Sequence, residues 1–354
     1  MALLRHTLLR PLSSLYGVVV WLRNIFYDLG ILKSHSFPFP VICIGNITVG
    51  GTGKTPHVEY LAALLSKYAP VAILSRGYLR RSSGFRIVLT GDRVDEAGDE
   101  PLQLAQRLPQ VRVAVDRNRV HGINELRSLF PELKAIILDD GFQHRAVRAG
   151  LNILLTDYNR LMTRDNLLPF GRLRESITGK KRADIIVVTK MPSKPGDNEA
   201  GKLGREIKPE AHQQLYFTTL DYGELQPIFN GEKDKKITKS TGVILVTGIA
   251  NPTPLVEYIS SVAGKVMHLQ FSDHHRFSKS DIIMISSALD SLEQNDKIVV
   301  TTEKDSVRLK EIAIIADRFR EVIFYLPVKV RFLENEEEFI KRVTEYAGKN
   351  TRDS

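Results

Sequence analysis

The chain has 354 residues, 43% of them hydrophobic, which is enough for a full core and more consistent with two domains than one. Its formal net charge of +9 points to an anionic partner, and its one cysteine, Cys43, excludes an intrachain disulfide and fits a reducing compartment. No zinc-finger spacing, RNA-binding aromatic motif or long basic tail is present, so nucleic acid is not expected as a partner. The basic residues come in short clusters (Arg76/Arg80/Arg81, Arg117/Arg119, Arg145/Arg148, Arg172/Arg174, Lys180/Lys181/Arg182). Such clusters suit phosphate groups or an anionic membrane surface, or else form ordinary solvated faces.

Residues 1–36 differ from the rest of the chain. Leu4, Leu8, Leu12, Leu15, Val19, Leu22, Phe26 and Leu29 recur at helical spacing, with Pro11 expected to start or kink the helix. The unbroken apolar run, Leu15 to Leu22, is well short of the ~20 residues that a membrane span needs. Two readings fit this segment. It is an amphipathic helix in the membrane interface, with Tyr16 and Trp21 near the headgroups, or a helix packed on the protein's own core.

From Val41 the pattern alternates strand and helix. Strands are expected at Val41–Ile44, Val71–Leu74, Phe85–Leu89, Val111–Val115, Ala135–Leu138, Leu151–Leu155 and Ile185–Val188. Helices are expected at Val58–Tyr68, Pro101–Leu108 and Val120–Leu129. Alternation of this kind implies an α/β fold: a mainly parallel sheet with helices on both faces, binding ligands at the strands' C-terminal ends. Met191–Ala200 reads as a loop, Gln214–Leu220 as a connecting strand, and residues 223–241 as a polar linker. After Gly242 the alternation resumes in a second, smaller α/β lobe, residues 242–354, which includes helices near Ser306–Ile315 and at Glu336–Tyr346. The core domain is expected over 37–222.

Four stretches carry chemistry. Gly45–Pro56 (GNITVGGTGKTP) is a glycine-rich loop between a strand and a helix. Gly50, Gly51, Thr52 and Gly53 can turn N–H groups onto a phosphate, Lys54 can reach the outer phosphates, and the Thr55 hydroxyl can bind Mg²⁺. Thr48 stands where the usual loop has its first glycine, and Val49 stands where deviant P-loop ATPases carry a signature lysine. In Ala135–His144 (AIILDDGFQH) an apolar strand ends in Asp139 and Asp140, either of which can hold Mg²⁺. In Gly98-Asp99-Glu100-Pro101 the carboxylates are a helix cap, a general base or a second metal ligand. In Phe271–Phe277 (FSDHHRF) a histidine could receive a proton.

Together with LSRGY (Leu74–Tyr78), AVDRNR (Ala114–Arg119), LLPFGRLRES (Leu167–Ser176), ADIIVVTK (Ala183–Lys190) and TTEKD (Thr301–Asp305), these stretches resemble the tetraacyldisaccharide 4′-kinase family over most of the chain. Val49 is that family's own pattern, and the match is poorest at 191–241. The resemblance implies a P-loop kinase with an N-terminal membrane-interface helix, peripheral on the cytoplasmic face of the bacterial inner membrane. It implies transfer of the γ-phosphoryl group of ATP, with Mg²⁺, to a tetraacylated glucosamine disaccharide 1-phosphate. It further implies that Lys54 and the loop hold the phosphates, and that Thr55, Asp139, Asp140 and Glu100 are the metal ligands. Asp99 then takes the hydroxyl proton, assisted by His274 from the other lobe. The oligomeric state stays open, with a monomer expected. The rival readings are a deviant P-loop switch ATPase of the partitioning or metallo-insertion type and a GTPase. The latter lacks its guanine signature at Val187–Lys190.

Overall fold

The computed structural model describes residues 2–229, 232, 234–312 and 317–348, without the side chains of 2–8, 317 and 318. Leu4 and Leu8, part of the linker, and residues 313–315 of the helix expected near Ser306 therefore fall wholly or partly outside the description. The chain divides into two compact units, 1–90 with 104–220 and 330–354, and 91–103 with 221–329.

The first unit is built on a nine-stranded sheet in the order Val328–Phe332, Gln214–Tyr222, Ile185–Thr189, Leu151–Asp157, Val41–Gly45, Ala135–Asp139, Val71–Ser75, Arg112–Val115 and Arg86–Ile87. VICIG, VAILS, AIILD and IIVVT are buried along their whole length, as strands covered on both faces must be. Val41–Gly45 lies at the centre, parallel to both neighbours, with Ile44 in register with Asp139. The sheet therefore changes direction beside the first strand, and the loops after Gly45 and Asp139 leave it side by side. Such a switch point is where an open α/β sheet binds its ligand. The second unit has a five-stranded sheet, Lys265–Gln270, Thr241–Thr247, Asp296–Thr302, Ile323–Leu326 and a short antiparallel Gln226–Pro227.

Several elements differ from the sequence expectation. The strand expected at Phe85–Leu89 shrinks to the edge pair Arg86–Ile87. Part of Met191–Ala200 is not loop, because a helix runs Asp197–Ile207, entered from Gly196 with Asp197 and Glu199 in its first turn. Leu203 and Ile207, one turn apart, fix it to the core. The helix Glu336–Gly348 belongs to the first unit rather than the second. Its Phe339 and Val343 are buried, and the Tyr346 hydroxyl bonds both the N–H and the carbonyl of Val41. Segment 91–103, with Asp99 in it, groups with the second unit.

The N-terminal helix, Ala2–Asp28, runs through Pro11 rather than starting at it. Its polar and small residues face the protein. Ser13 donates to Leu167 O, Tyr16 to Arg174 O, and Arg23 to Gln143 O. Tyr16 thus points inward, not to the headgroups. Trp21 is exposed, as are Leu12, Leu15, Val19, Leu22 and Phe26 along the other face. No described helix is long and apolar enough to cross a membrane.

Candidate active site

In the first unit the glycine loop follows the buried strand Val41–Gly45. Gly45 must lack a side chain, since a Cβ there would lie 2.7 Å from the Phe142 Cβ. Asn46, fully buried, donates to the Thr52 hydroxyl at 2.7 Å and so ties the loop's two ends together. LLPFGRLRES runs alongside: Val49 N–H donates to Arg172 O at 2.8 Å, and Arg174 N–H to Ile47 O at 2.7 Å. Gly53 has φ 84 and caps the helix Lys54–Leu65. That left-handed geometry explains why glycine stands immediately before Lys54.

Lys54 Nζ lies 3.9 Å from Asp140 Oδ1. Arg174 grips the same carboxylate through both of its terminal nitrogens, at 3.1 and 2.8 Å, and also donates to Asn46 O at 2.7 Å. Burial alone would raise the Asp140 carboxyl, but Lys54, Arg174 and Arg119 hold it below the usual carboxylate range. Asp139 is buried and accepts from Ser75 Oγ at 3.0 Å. Thr55, Asp139 and Asp140 are hard oxygen donors, the kind that suit Mg²⁺ when phosphate and water complete its shell. Among the described residues no three His, Cys, Asp or Glu side chains gather into a metal cage, and Mg²⁺ at a phosphate site needs none.

The second unit holds the other expected residues. Asp99 begins the helix Asp99–Arg107 and is 5% exposed. Its Oδ2 lies 2.8 Å from His274 Nδ1, and its Oδ1 accepts from Glu100 N–H at 2.9 Å. Two groups that sequence reasoning does not single out complete the cluster. Lys304 Nζ donates to Glu100 Oε1 at 2.9 Å and to His274 Nε2 at 3.1 Å. Arg308 Nε lies 3.7 Å from Asp99 Oδ2. An ammonium has no lone pair, so Nε2 is the acceptor and His274 carries its proton on Nδ1, facing Asp99. Burial would raise the Asp99 carboxyl, but the bond from His274 and the charges of Lys304 and Arg308 bring it down to about 2. Lys304 is raised: burial opposes its charge, and Glu100 and Asp99 more than compensate.

The TTEKD stretch explains how Lys304 gets there. Thr302 caps the helix Glu303–Lys310 by accepting from Asp305 N–H. Buried Asp305 in turn takes Gly248 N–H at 2.9 Å and Arg308 at 3.0 Å. Lys304 is left to project from the helix's first turn. The signal in the sequence was a charged motif directly after a strand, the same pattern that marks Asp139.

The expected residues therefore fall into two groups. Lys54, Thr55, Asp139 and Asp140 belong to the first unit, while Asp99, Glu100 and His274 belong to the second. Of the basic clusters, Arg145 pairs with Asp28, Arg174 with Asp140 and Arg182 with buried Glu175, so part of the positive charge serves internal structure. A cavity of about 220 Å³ lined by Phe37, Phe39, Arg148 and Tyr346 sits at the opposite end of the Val41–Gly45 strand, away from this chemistry.

A parallel sheet with a glycine loop, lysine and carboxylates at its switch point defines a nucleotide-binding α/β protein of the P-loop class. The particular family follows from comparison with known proteins. The family model for tetraacyldisaccharide-1-P 4′-kinase matches residues 5–347. A tetraacyldisaccharide 4′-kinase of Phocaeicola vulgatus is 46% identical over 352 residues, covering 98% of this chain and 96% of its own. One of Bacteroides thetaiotaomicron is 44% identical, with 99% and 95% covered. The crystal structure of LpxK from Aquifex aeolicus in complex with ATP superposes with a TM-score of 0.74 at 32% identity, covering 97% of this chain and 99% of that one. The chain belongs to the tetraacyldisaccharide-1-P 4′-kinase family.

Proposed function

We propose that the chain transfers the γ-phosphoryl group of ATP to the 4′-hydroxyl of a tetraacylated glucosamine disaccharide 1-phosphate, a step of lipid A synthesis. Gly50, Gly51, Thr52, Gly53 and Lys54 cradle the phosphates. Thr55 with Asp139 and Asp140 would hold Mg²⁺, which would neutralise the charge building on the transferring group. Glu100, bonded to Lys304, is a further ligand only if it leaves that lysine. Asp99 accepts the hydroxyl proton, and His274 orients it. A carboxylate this acidic is a weak base. It suffices because the transition state is loose and the nucleophile surrenders its proton late.

The observation that carries phosphoryl transfer is the Asp99–His274–Lys304 cluster. A switch ATPase has no alcohol to deprotonate, and this chain also lacks that class's signature lysine at Val49. The exposed apolar residues Leu12, Leu15, Val19, Trp21, Leu22 and Phe26 of the N-terminal helix favour peripheral attachment to an anionic membrane, at the cytoplasmic face of the bacterial inner membrane where the acylated substrate lies. Turnover of ATP with and without the acylated disaccharide 1-phosphate in anionic vesicles tests the reading. The expected result is lipid-dependent turnover with label from [γ-³²P]ATP appearing on the disaccharide. Turnover indifferent to the lipid would instead favour the switch ATPase.

A further inference from the structure

The stretch Ala183–Lys190 plays no part in the phosphate or base chemistry above, yet its last two residues reach the glycine loop. The Thr189 hydroxyl, fully buried, donates to Thr52 O at 2.9 Å. The Lys190 ammonium donates to Gly51 O and is itself fixed by Asp157 at 2.8 Å. From the helix that follows the loop, His57 places Nδ1 2.7 Å from Gly53 O and Nε2 3.1 Å from the Thr218 hydroxyl. A carbonyl only accepts, so Nδ1 carries the proton and Nε2 accepts from Thr218. Three successive carbonyls of the loop, those of Gly51, Thr52 and Gly53, are each held by a side chain from outside it.

The consequence follows from the planarity of the peptide bond. In a trans peptide the C=O and the following N–H point in opposite directions. Pinning Thr52 O therefore aims the N–H of Gly53, and pinning Gly53 O aims the N–H of Lys54, away from the pinning side chains. The Thr52 N–H is already turned back onto Gly50 O at 3.0 Å. The two N–H groups at the head of the helix are thus aimed by side chains that bond the loop's carbonyls from outside it. Lys190 sits at φ 59, a left-handed conformation that a lysine adopts only at a cost, and it shares that feature with Asp140 and His274.

We propose that Lys190, Thr189 and His57 are positioning residues that hold the glycine loop in its phosphate-binding shape before the nucleotide arrives. This rests on reading the loop as the ATP cradle. The test is titration calorimetry of the full chain with a non-hydrolysable ATP analogue, beside KM measurements for ATP and lipid and a melting curve, on Thr189→Val, Lys190→Met and His57→Phe. Each variant is expected to weaken nucleotide binding and raise the KM for ATP about tenfold, the scale of one lost hydrogen bond. The KM for the lipid should stay unchanged, and His57→Asn, which can still donate, should recover part of the loss. A lowered melting temperature with unchanged nucleotide affinity would reduce these groups to structural ones and overturn the proposal. Thr189→Val preserves the shape of a buried strand residue, so its nucleotide affinity decides the question even where the larger changes unfold the chain. Nucleotide affinity is read without lipid, so a wild type inactive on the disaccharide would count against the proposed function and leave the loop's positioning to be judged separately.

Discussion

The glycine loop of the first unit and the Asp99 cluster of the second handle charge in opposite ways. The loop works with backbone. Its donors are N–H groups, its turn runs through Gly50 and Gly53 at positive φ with its carbonyls bonded from outside, and its one charged member, Lys54, approaches Asp140 only to 3.9 Å. The Asp99 cluster works almost entirely with side chains. Asp99, His274, Lys304 and Glu100 are joined through contacts of 2.8 to 3.1 Å that span up to 204 positions of sequence. A cradle of N–H groups is tuned to whatever polyanion enters it, whereas a closed chain of ionic hydrogen bonds fixes one proton on one atom. The first suits binding and the second suits proton handling.

The largest effects should come from breaking each group at its centre. Asp99→Ala is expected to lower kcat by ~10²–10⁴-fold, the range for losing a positioned base. Lys54→Ala should lower it by ~10²-fold or more, as for one lost charge-stabilising donor. Adding His274→Ala to Asp99→Ala should cost little further, since the two act as one unit, while adding Lys54→Ala should multiply. Full multiplication of the Asp99 and His274 losses would separate their roles and dissolve the cluster as a functional unit.

Lys304→Met sharpens the contrast at smaller scale. Removing this ammonium takes away a charge that holds Asp99 low, and it frees His274 Nε2. The Asp99 carboxyl then rises, so the acid limb of the kcat/KM profile should move to higher pH, with kcat down about ten- to a hundredfold. A loop variant such as Lys54→Ala should leave that limb in place. An acid limb unmoved in Lys304→Met would show that Asp99 does not govern it.

The same contrast decides what could be read from the sequence. The loop and the parallel core were legible because glycine spacing and unbroken apolar strands are local signals: VICIG and AIILD are strands on composition alone. The position of Asp139 and Asp140 at the end of such a strand was legible in the same way. Lys304 and Arg308 were not, since nothing in TTEKD marks which charged residue leaves the helix toward a histidine 30 residues earlier. The chain's return to the first unit was equally hidden. Strand Val328–Phe332 and helix Glu336–Gly348 have the same local pattern whichever sheet they join, and only long-range contacts such as Tyr346 to Val41 decide it. The N-terminal helix was half legible: its period showed, but periodicity left open whether the apolar face would turn outward or onto the core, and it is the polar face that the protein takes.

Acid acts in two windows, because the first unit adds buried neutral histidines to the depressed carboxylates that both groups contain, Asp140 in the first and Asp99 in the second. In the first unit His57 is lowered from the ordinary imidazole range to about 4, chiefly by burial, and His144 likewise, with the Arg119 charge adding to burial. The unfolded chain takes up these protons first. Their contribution is therefore intact above about pH 6.5, is lost as pH falls toward 4, and for His57 amounts to a few kcal/mol. Asp99 is depressed to about 2, so its contribution persists above the unfolded carboxylate range near pH 4 and is lost only as pH falls from there toward 2. Melting temperature against pH should accordingly fall in two windows. His57→Phe should shallow the upper one, leaving the His144 share, and spare the lower, and Asp99→Asn should shallow the lower one, leaving the Asp140 share, and spare the upper. If His57→Phe kept the full slope between pH 6.5 and 4, the imidazole beneath the glycine loop would not be a buried neutral group, and its Nε2 would no longer be the acceptor of the Thr218 hydroxyl, although Nδ1 would still donate to Gly53 O.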